Sequence, residues 1–336
     1  MKLDRTVGVI AAFFAVFAFA NILFAQSPTY RVSTPYTYKN LSIFLIHGRN
    51  ETSKTNIITL AEALERKLFR VYETGEVNEL MVENLSKDQD VFIQSGDIVK
   101  GGRQDRVLAI SIIIPARSGR VSIESFCVES GRWEKRKDED SSQFSSSNER
   151  IVSKELKLAA NDSRSQSEVW AKVSEAQKRL SDNVGGSVAA AESRSSLQLS
   201  LENGRVAATA DEYIRSLSNI VAGQTDVIGY AFAVNGQINS ADVYVSNALF
   251  KKVWPKMLRA ASIEAVSHSR GVRLAEPVKA DAVGAFLKDA DKGAVKERAA
   301  SGNASIVTRE QKDNVVFEAR DDKANLVVHR SYVKKQ

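Results

Sequence analysis

Histidine and cysteine are nearly missing from this chain. Cys127 is the single cysteine, so no intramolecular disulfide can form and the fold must be held by its core. His47, His268 and His329 are the three histidines, and neither they nor Cys127 fall at zinc-ligand spacing. The acidic tract Asp138–Asp140 lacks the ligand pattern of a calcium loop. No metal and no cofactor is therefore expected. The chain has no G-x-S-x-G nucleophile elbow and no P-loop or Rossmann fingerprint. After Ala25 no apolar run is long enough to span a bilayer. The charge excess is small, +6 from 47 basic and 41 acidic residues. The basic cluster Lys135–Lys137 runs directly into Asp138–Asp140, which cancels it. A nucleic-acid partner, which calls for clustered Lys/Arg interleaved with aromatics, is not expected.

What is present begins with Lys2 and Arg5, followed by an almost wholly apolar run from Val7 to Ala25 and a polar start at Gln26. That is the layout of a secretory signal peptide. Residues 1–25 are expected to be a signal peptide cut after Ala25, with an uncut membrane anchor as the rival. With no cysteine after the run, a lipid anchor is not expected. The cleaved protein is read as periplasmic or secreted, with about 310 residues to build a core.

Residues 26–39 read as an irregular lead. Leu41–Ile46 then reads as a strand and Thr55–Leu68 as a helix, followed by strands at Phe69–Tyr72, Glu79–Glu83, Asp90–Gln94, Arg106–Ile114 and Arg120–Val128. Arg106–Ile114 is apolar on both parities at its centre, as in a strand buried on both faces. The charged, Ser-rich stretch Lys135–Arg150 reads as a long loop. Helices follow at Ser167–Leu180 and Val206–Ile220, with a small-residue connection over Ser181–Ser196. Val227–Val234 and Gln237–Val245 flank Asn235-Gly236, the pair that best tolerates the two positive φ angles of a type I′ hairpin turn. Asn247–His268 is a long amphipathic helix that Pro255 should kink or divide. A helical stretch near Asp281–Asp289 precedes strands at Ala304–Val307, Asn314–Ala319 and Leu326–Val333. Strands at both ends around a group of helices predict an α+β fold. Its sheets are mostly antiparallel, with helices mid-chain and a C-terminal β-meander.

Two tracts hold the candidate site residues. In the first, Gly96–Arg106, Gly101 and Gly102 permit close approach to backbone N–H groups. Arg103 and Arg106 can grip a phosphate or carboxylate, and Gln104 and Asp105 can read hydroxyls. The plain alternative is a hairpin with solvated charges. The second tract, Phe126–Trp133, offers Glu129 and Arg132 as a functional or structural pair. Trp133 is either a stacking platform or a cap on the sheet. Cys127, between Phe126 and Val128, reads as a small buried hydrophobe rather than a nucleophile.

Several segments resemble one bacterial family. They are Gly96-Asp97 with Gly101 to Arg106, Cys127-Val128-Glu129 with Gly131-Arg132-Trp133, the Val227–Val245 hairpin, Leu249-Phe250, and Val253-Trp254-Pro255-Lys256-Met257-Leu258. The family is the ADP-ribosylglycohydrolase- and rhodanese-phosphatase-associated protein domain. The resemblance runs from about Asn40 to His268, with residues 269–336 as a C-terminal extension. Asp97 stands where that family more often has Glu, Arg103 where it has Lys, and Asp105 where it has Asn. Its name records company with enzymes of ADP-ribose chemistry, not an activity, and it brings no catalytic residues to this chain.

Three roles remain open on this reading. The first is a non-enzymatic binding or accessory module of the envelope, gripping a small molecule or envelope protein through the two tracts. The second is a hydrolase of a phosphate- or ribose-containing compound, with Asp97, Asp105 or Glu129 as general acid or base. The third is a structural or protein-interaction module.

Overall fold

The computed structural model describes residues 29–51, 56–131, 143–151, 153–270, 276–300 and 304–335. The expected signal peptide, Arg132, Trp133 and the first part of the expected 135–150 loop lie outside the described residues. Among the described residues no helix is long and apolar enough to cross a membrane.

The N-terminal part runs β1 (Arg31–Val32), β2 (Tyr36–Tyr38), β3 (Leu41–His47), β4 (Ile57–Thr59), α1 (Leu60–Glu65), β5 (Phe69–Glu73) and β6 (Glu79–Asn84). It continues with β7 (Asp90–Ile93), β8 (Asp97–Gly101), β9 (Arg106–Leu108), β10 (Ile112–Ile114), β11 (Arg120–Cys127) and β12 (Phe144–Arg150). The helical part holds α2 (Lys154–Leu158), α3 (Gln166–Val184), α4 (Leu197–Leu201) and α5 (Gly204–Leu217). Then come β13 (Val227–Val234), β14 (Gln237–Tyr244), α6 (Asn247–Ser267), α7 (Ala280–Asp291), β15 (Ala294–Ala299), β16 (Ala304–Glu310), β17 (Asn314–Asp321) and β18 (Leu326–Lys334). The fold is α+β as expected, and β15 to β18 form the C-terminal meander.

Three sheets divide the strands. The largest has nine, ordered β1-β3-β13-β14-β18-β17-β16-β15 with β2 also on β3, so both ends of the chain share it. A six-stranded sheet runs β12-β8-β9-β11-β6-β5, and a three-stranded one runs β10-β7-β4. All pairings are antiparallel except β4 with β7. The expected irregular lead carries β1 and β2, both paired with β3.

Alternation explains why β3 and β13 are buried along their whole length. Leu41, Ile43, Leu45, Tyr230 and Phe232 enter the main core beneath α5 and α6. Phe44, Ile46, Ala231 and Ala233 enter a second core covered by α7. Asn235 and Gly236 both have positive φ, as the tight hairpin turn requires. Ser246 caps α6, whose buried side packs Trp254 edge-on against Tyr230 at 5.7 Å.

Several sequence expectations are corrected. Thr55–Leu68 is not one helix: Ile57–Thr59 pairs with β7, and Thr59 forms a capping box with Glu62 that starts α1 there. Arg106–Ile114 is two strands in different sheets, and its continuous apolarity reflects burial in both. The end of the expected 135–150 loop, Phe144–Arg150, is strand β12 on β8. The expected connection at Ser181–Ser196 ends at a short helix, α4, capped by Ser196. Pro255 does not divide α6. Pro255 and Lys251, one turn earlier, are both exposed, which puts the lost backbone hydrogen bond on the outer side of α6.

A buried polar cluster joins the nine-stranded sheet, the three-stranded sheet and α2. Lys157 on α2 pairs with Asp242 on β14 at 3.2 Å, and both are almost fully buried. His329 on β18 reaches Asp242 through Nε2 at 3.1 Å and Ser111, just before β10, through Nδ1 at 3.0 Å. Burial opposes the Asp242 charge, but Lys157 and His329 hold its carboxyl well below the usual range. Burial pushes the His329 imidazole down, more strongly than Asp242 pulls it up. A neutral His329 beside an acceptor-only carboxylate carries its proton on Nε2, so Ser111 donates to Nδ1.

A histidine depressed in the folded state contributes stability above its unfolded pKa of about 6.5, and that stability is lost as pH falls below it. The raised carboxyls of Glu149, Glu264 and Asp291 pull the other way. Comparison with His329→Gln isolates the histidine term. Urea unfolding at pH 7 should show His329→Gln less stable by about 1–3 kcal/mol, and that deficit should shrink at pH 5. A deficit that is constant or larger at pH 5 contradicts the assignment.

Candidate functional site

The Gly101–Arg106 tract closes the β8–β9 connection around Glu73. Gly101 and Gly102 have φ of +122° and +59°. A Cβ on Gly101 would collide with the Gln143 carbonyl, and one on Gly102 with the Phe144 ring and Glu73 carboxylate. The close approach these glycines allow is therefore to the protein's own chain. Arg103 is exposed, and its backbone N–H donates to Glu73 Oε1 at 2.9 Å. Gln104 is buried. Asp105 is buried and accepts from the Gly101 N–H at 3.2 Å. Arg106 is fully buried, donating to the Val77 carbonyl and to Glu73 Oε2 at 3.4 Å. Glu129 is buried and accepts from the Ser193 hydroxyl. Arg132 and Trp133 lie outside the described residues. Burial pushes the Cys127 thiol up to about 11 against the pull of Arg106, which leaves little thiolate at neutral pH.

The nearest thing to a ligand site lies elsewhere, in a pocket of about 250 Å³ between α6 and the strands β7, β8 and β12. Its lining carries four cations: Arg150 from β12, and Lys252, Lys256 and Arg259 from one face of α6. Asp97, at the start of β8, is the only acid in the lining among the described residues. Lys256 Nζ reaches Asp97 Oδ1 at 3.1 Å, and the Gln94 N–H donates to Asp97 Oδ2 at 3.1 Å. Burial works against the Asp97 charge, yet Lys256 and Arg150 hold its carboxyl below its ordinary value. Lys252 pairs with Glu62 at 3.3 Å, and Arg259 with Glu149 at 2.6 Å and Asp211 at 3.4 Å. Those carboxylates stand outside the lining, so the charged residues of the wall are mostly cations although both lysines and Arg259 already have an acidic partner. Leu60, Phe92, Val253 and Pro255 supply an apolar side.

Of the three carboxylates considered as general acid or base, only Asp97 lines this pocket. Asp105 and Glu129 are committed to partners elsewhere. A wider cleft of about 670 Å³ lies beside β6, β11 and β15, and its lining carries the acids Glu76, Glu79 and Glu124 against the cations Arg164 and Arg298. Glu124 there is held by Arg164 at 2.8 Å and Arg298 at 2.7 Å. Among the described residues no cluster of three or more His, Cys, Asp or Glu side chains could hold a metal ion. Of the pocket's charged residues, Lys252, Lys256 and Arg259 were not singled out in sequence as site candidates, although their i, i+4, i+7 spacing puts them on one face of the expected helix. Arg150 was hidden in the expected loop.

Residues 29–333 match the ARG and Rhodanese-Phosphatase-superfamily-associated Protein domain. The chain belongs to that family. The match continues through β15 to β18, beyond the Asn40–His268 span in which the resembling segments lie. No curated protein and no solved structure matches the chain. Two segments that carry the family resemblance, Gly96-Asp97 and Val253 to Leu258, meet at the pocket through the Asp97–Lys256 pair.

The glycine geometry has a direct consequence. Gly101→Ala strains a positive-φ position and forces a backbone collision, so it should lower urea-unfolding stability by about 1–3 kcal/mol with no ligand present. An Ala variant as stable as the parent would show that the glycine does not serve the fold.

Proposed function

We propose that this domain is a non-enzymatic binding module for a small anionic organic molecule, held in the pocket between α6, β8 and β12. One observation carries the reading: Arg150, Lys252, Lys256 and Arg259 surround a small concavity whose lining includes Asp97 as its one described acid. Cations focused in a concave, partly apolar site raise the local concentration of an anion and pair with its oxygens. The family name, with its link to ADP-ribosylglycohydrolase and rhodanese-phosphatase enzymes, is compatible with such an accessory role.

Binding is favoured over hydrolysis by the state of Asp97. A general acid or base works best with a pKa near the operating pH. Asp97 is held below the ordinary carboxylate value and already engaged by Lys256. An envelope protein as partner is the alternative to a free small molecule.

A thermal-shift panel of phosphate- and carboxylate-bearing compounds tests the reading on the purified protein. A bound anion at a hundredfold excess over its Kd should stabilise the fold by about 2.7 kcal/mol. Lys256→Gln and Lys252→Ala should each weaken binding by roughly tenfold, the worth of one charged hydrogen bond. No anion shifting the unfolding midpoint, or equal binding by both variants, would refute the proposal.

The module is also proposed to act outside the cytoplasm, because Lys2, Arg5 and the Val7–Ala25 run have the layout of an export signal. The intact mass of protein recovered from a bacterial periplasm should then correspond to a chain beginning at Gln26. A full-length chain retained in the cytoplasm counts against export.

A further inference from the structure

Resting on the anion-binding reading, we infer that the ligand is a polyhydroxylated phosphate of about one sugar unit, not a simple anion or an apolar carboxylate. The deciding atoms belong to two buried residues of the pocket lining. Gln94 is 2% exposed, and its Oε1 has no hydrogen-bond partner among the described residues. Its Nε2 lies 2.8 Å from the Tyr244 hydroxyl. Whichever way the amide is turned, the close partner on this side chain is that hydroxyl, and one polar end remains for something else.

Arg150 is 3% exposed, and its Nε likewise has no partner among the described residues. Nη1 rests on the Met257 sulfur, a weak acceptor, while Nη2 donates to the Ser95 carbonyl. A buried guanidinium with an unmet N–H costs free energy until an acceptor arrives, and an anionic oxygen is the strongest one available. Gln94 and Arg150 both line the pocket.

These atoms and Asp97 set opposite demands. Arg150 Nε calls for an anionic oxygen, and Lys252, Lys256 and Arg259 line the same pocket. Asp97 and the Gln94 amide call for hydroxyl groups, and the Asp97 carboxylate repels an anion that brings none. A neutral polyol offers Arg150 Nε no anionic oxygen, and a bare phosphate brings the Asp97 carboxylate no hydroxyl donor. A molecule with a phosphate at one end and hydroxyls at the other meets both demands. Phe92, Val253 and Pro255 offer the apolar surface on which the C–H face of such a molecule rests. The volume of about 250 Å³ is just under the ~300 Å³ at which drug-sized pockets begin, which suits one sugar phosphate and excludes a dinucleotide.

Calorimetric titration of the purified protein with glycerol 3-phosphate, ribose 5-phosphate, propyl phosphate and glycerol tests this. Glycerol 3-phosphate and propyl phosphate differ only in hydroxyl groups. The hydroxylated phosphates should bind roughly tenfold or more tighter than propyl phosphate, with glycerol undetectable. Gln94→Leu should shrink that gap while leaving propyl phosphate affinity unchanged. Equal binding of propyl phosphate and the hydroxylated phosphates, lost in Lys256→Gln, overturns the inference and leaves the anion site standing. Absence of binding by every phosphate overturns both. The comparison on the unaltered protein decides the matter even if Gln94→Leu fails to fold.

Discussion

The nine-stranded and three-stranded sheets meet helix α2 over the Lys157–Asp242–His329 cluster, and their relative placement depends on it. Asp242 is contributed by β14 of the nine-stranded sheet and His329 by its neighbour β18. Ser111 precedes β10 of the small sheet, and Lys157 projects from α2. Each charge is buried deeply enough that alone it would cost several kcal/mol. Each is tolerated because the others are present, so the cluster rewards one arrangement of the sheets. Apolar packing supplies the larger driving force, but it tolerates sliding and a hydrogen-bonded charge cluster does not.

Arg150 ties that junction to the pocket. It lines the cavity and lies close enough to both Asp97 and Asp242 for each to raise its pKa. The pocket is therefore built on the rigid junction rather than on surface loops, apart from the α6 side chains that wall it. Such support is what a site needs to hold donors and acceptors in place before a ligand arrives.

The elements legible in sequence were those whose partners are close by or whose pattern is pure. The Asn235-Gly236 hairpin and the α6 stripe are examples, as is the order of the terminal strands. The failures share one cause, which is pairing across long separations. Strand β12 reads as solvated because Ser, Asn, Glu and Arg dominate it. Glu149 and Arg150 are buried there only because Arg259, the Ser95 carbonyl and Asp97 compensate them. The Gly101–Arg106 tract drew notice because glycine beside arginine suits anion recognition. In the folded chain its glycines admit Phe144 and Gln143, and Arg106 serves the Val77 carbonyl and Glu73. Asp97, at the edge of the same tract, reaches the pocket because β8 turns it toward α6 and Lys256.

The pairing of β14 with β18 has a consequence for how the molecule is made. The large sheet joins segments far apart in the chain: β1 to β3, then β13 and β14, then the meander β15 to β18. Until β18 has left the ribosome, β14 presents a bare edge of backbone donors and acceptors, and Asp242 and Lys157 lack His329. Contacts this distant in sequence close slowly, and open strand edges invite pairing with other chains. A chain with this wiring cannot complete its main sheet before β18 has been made.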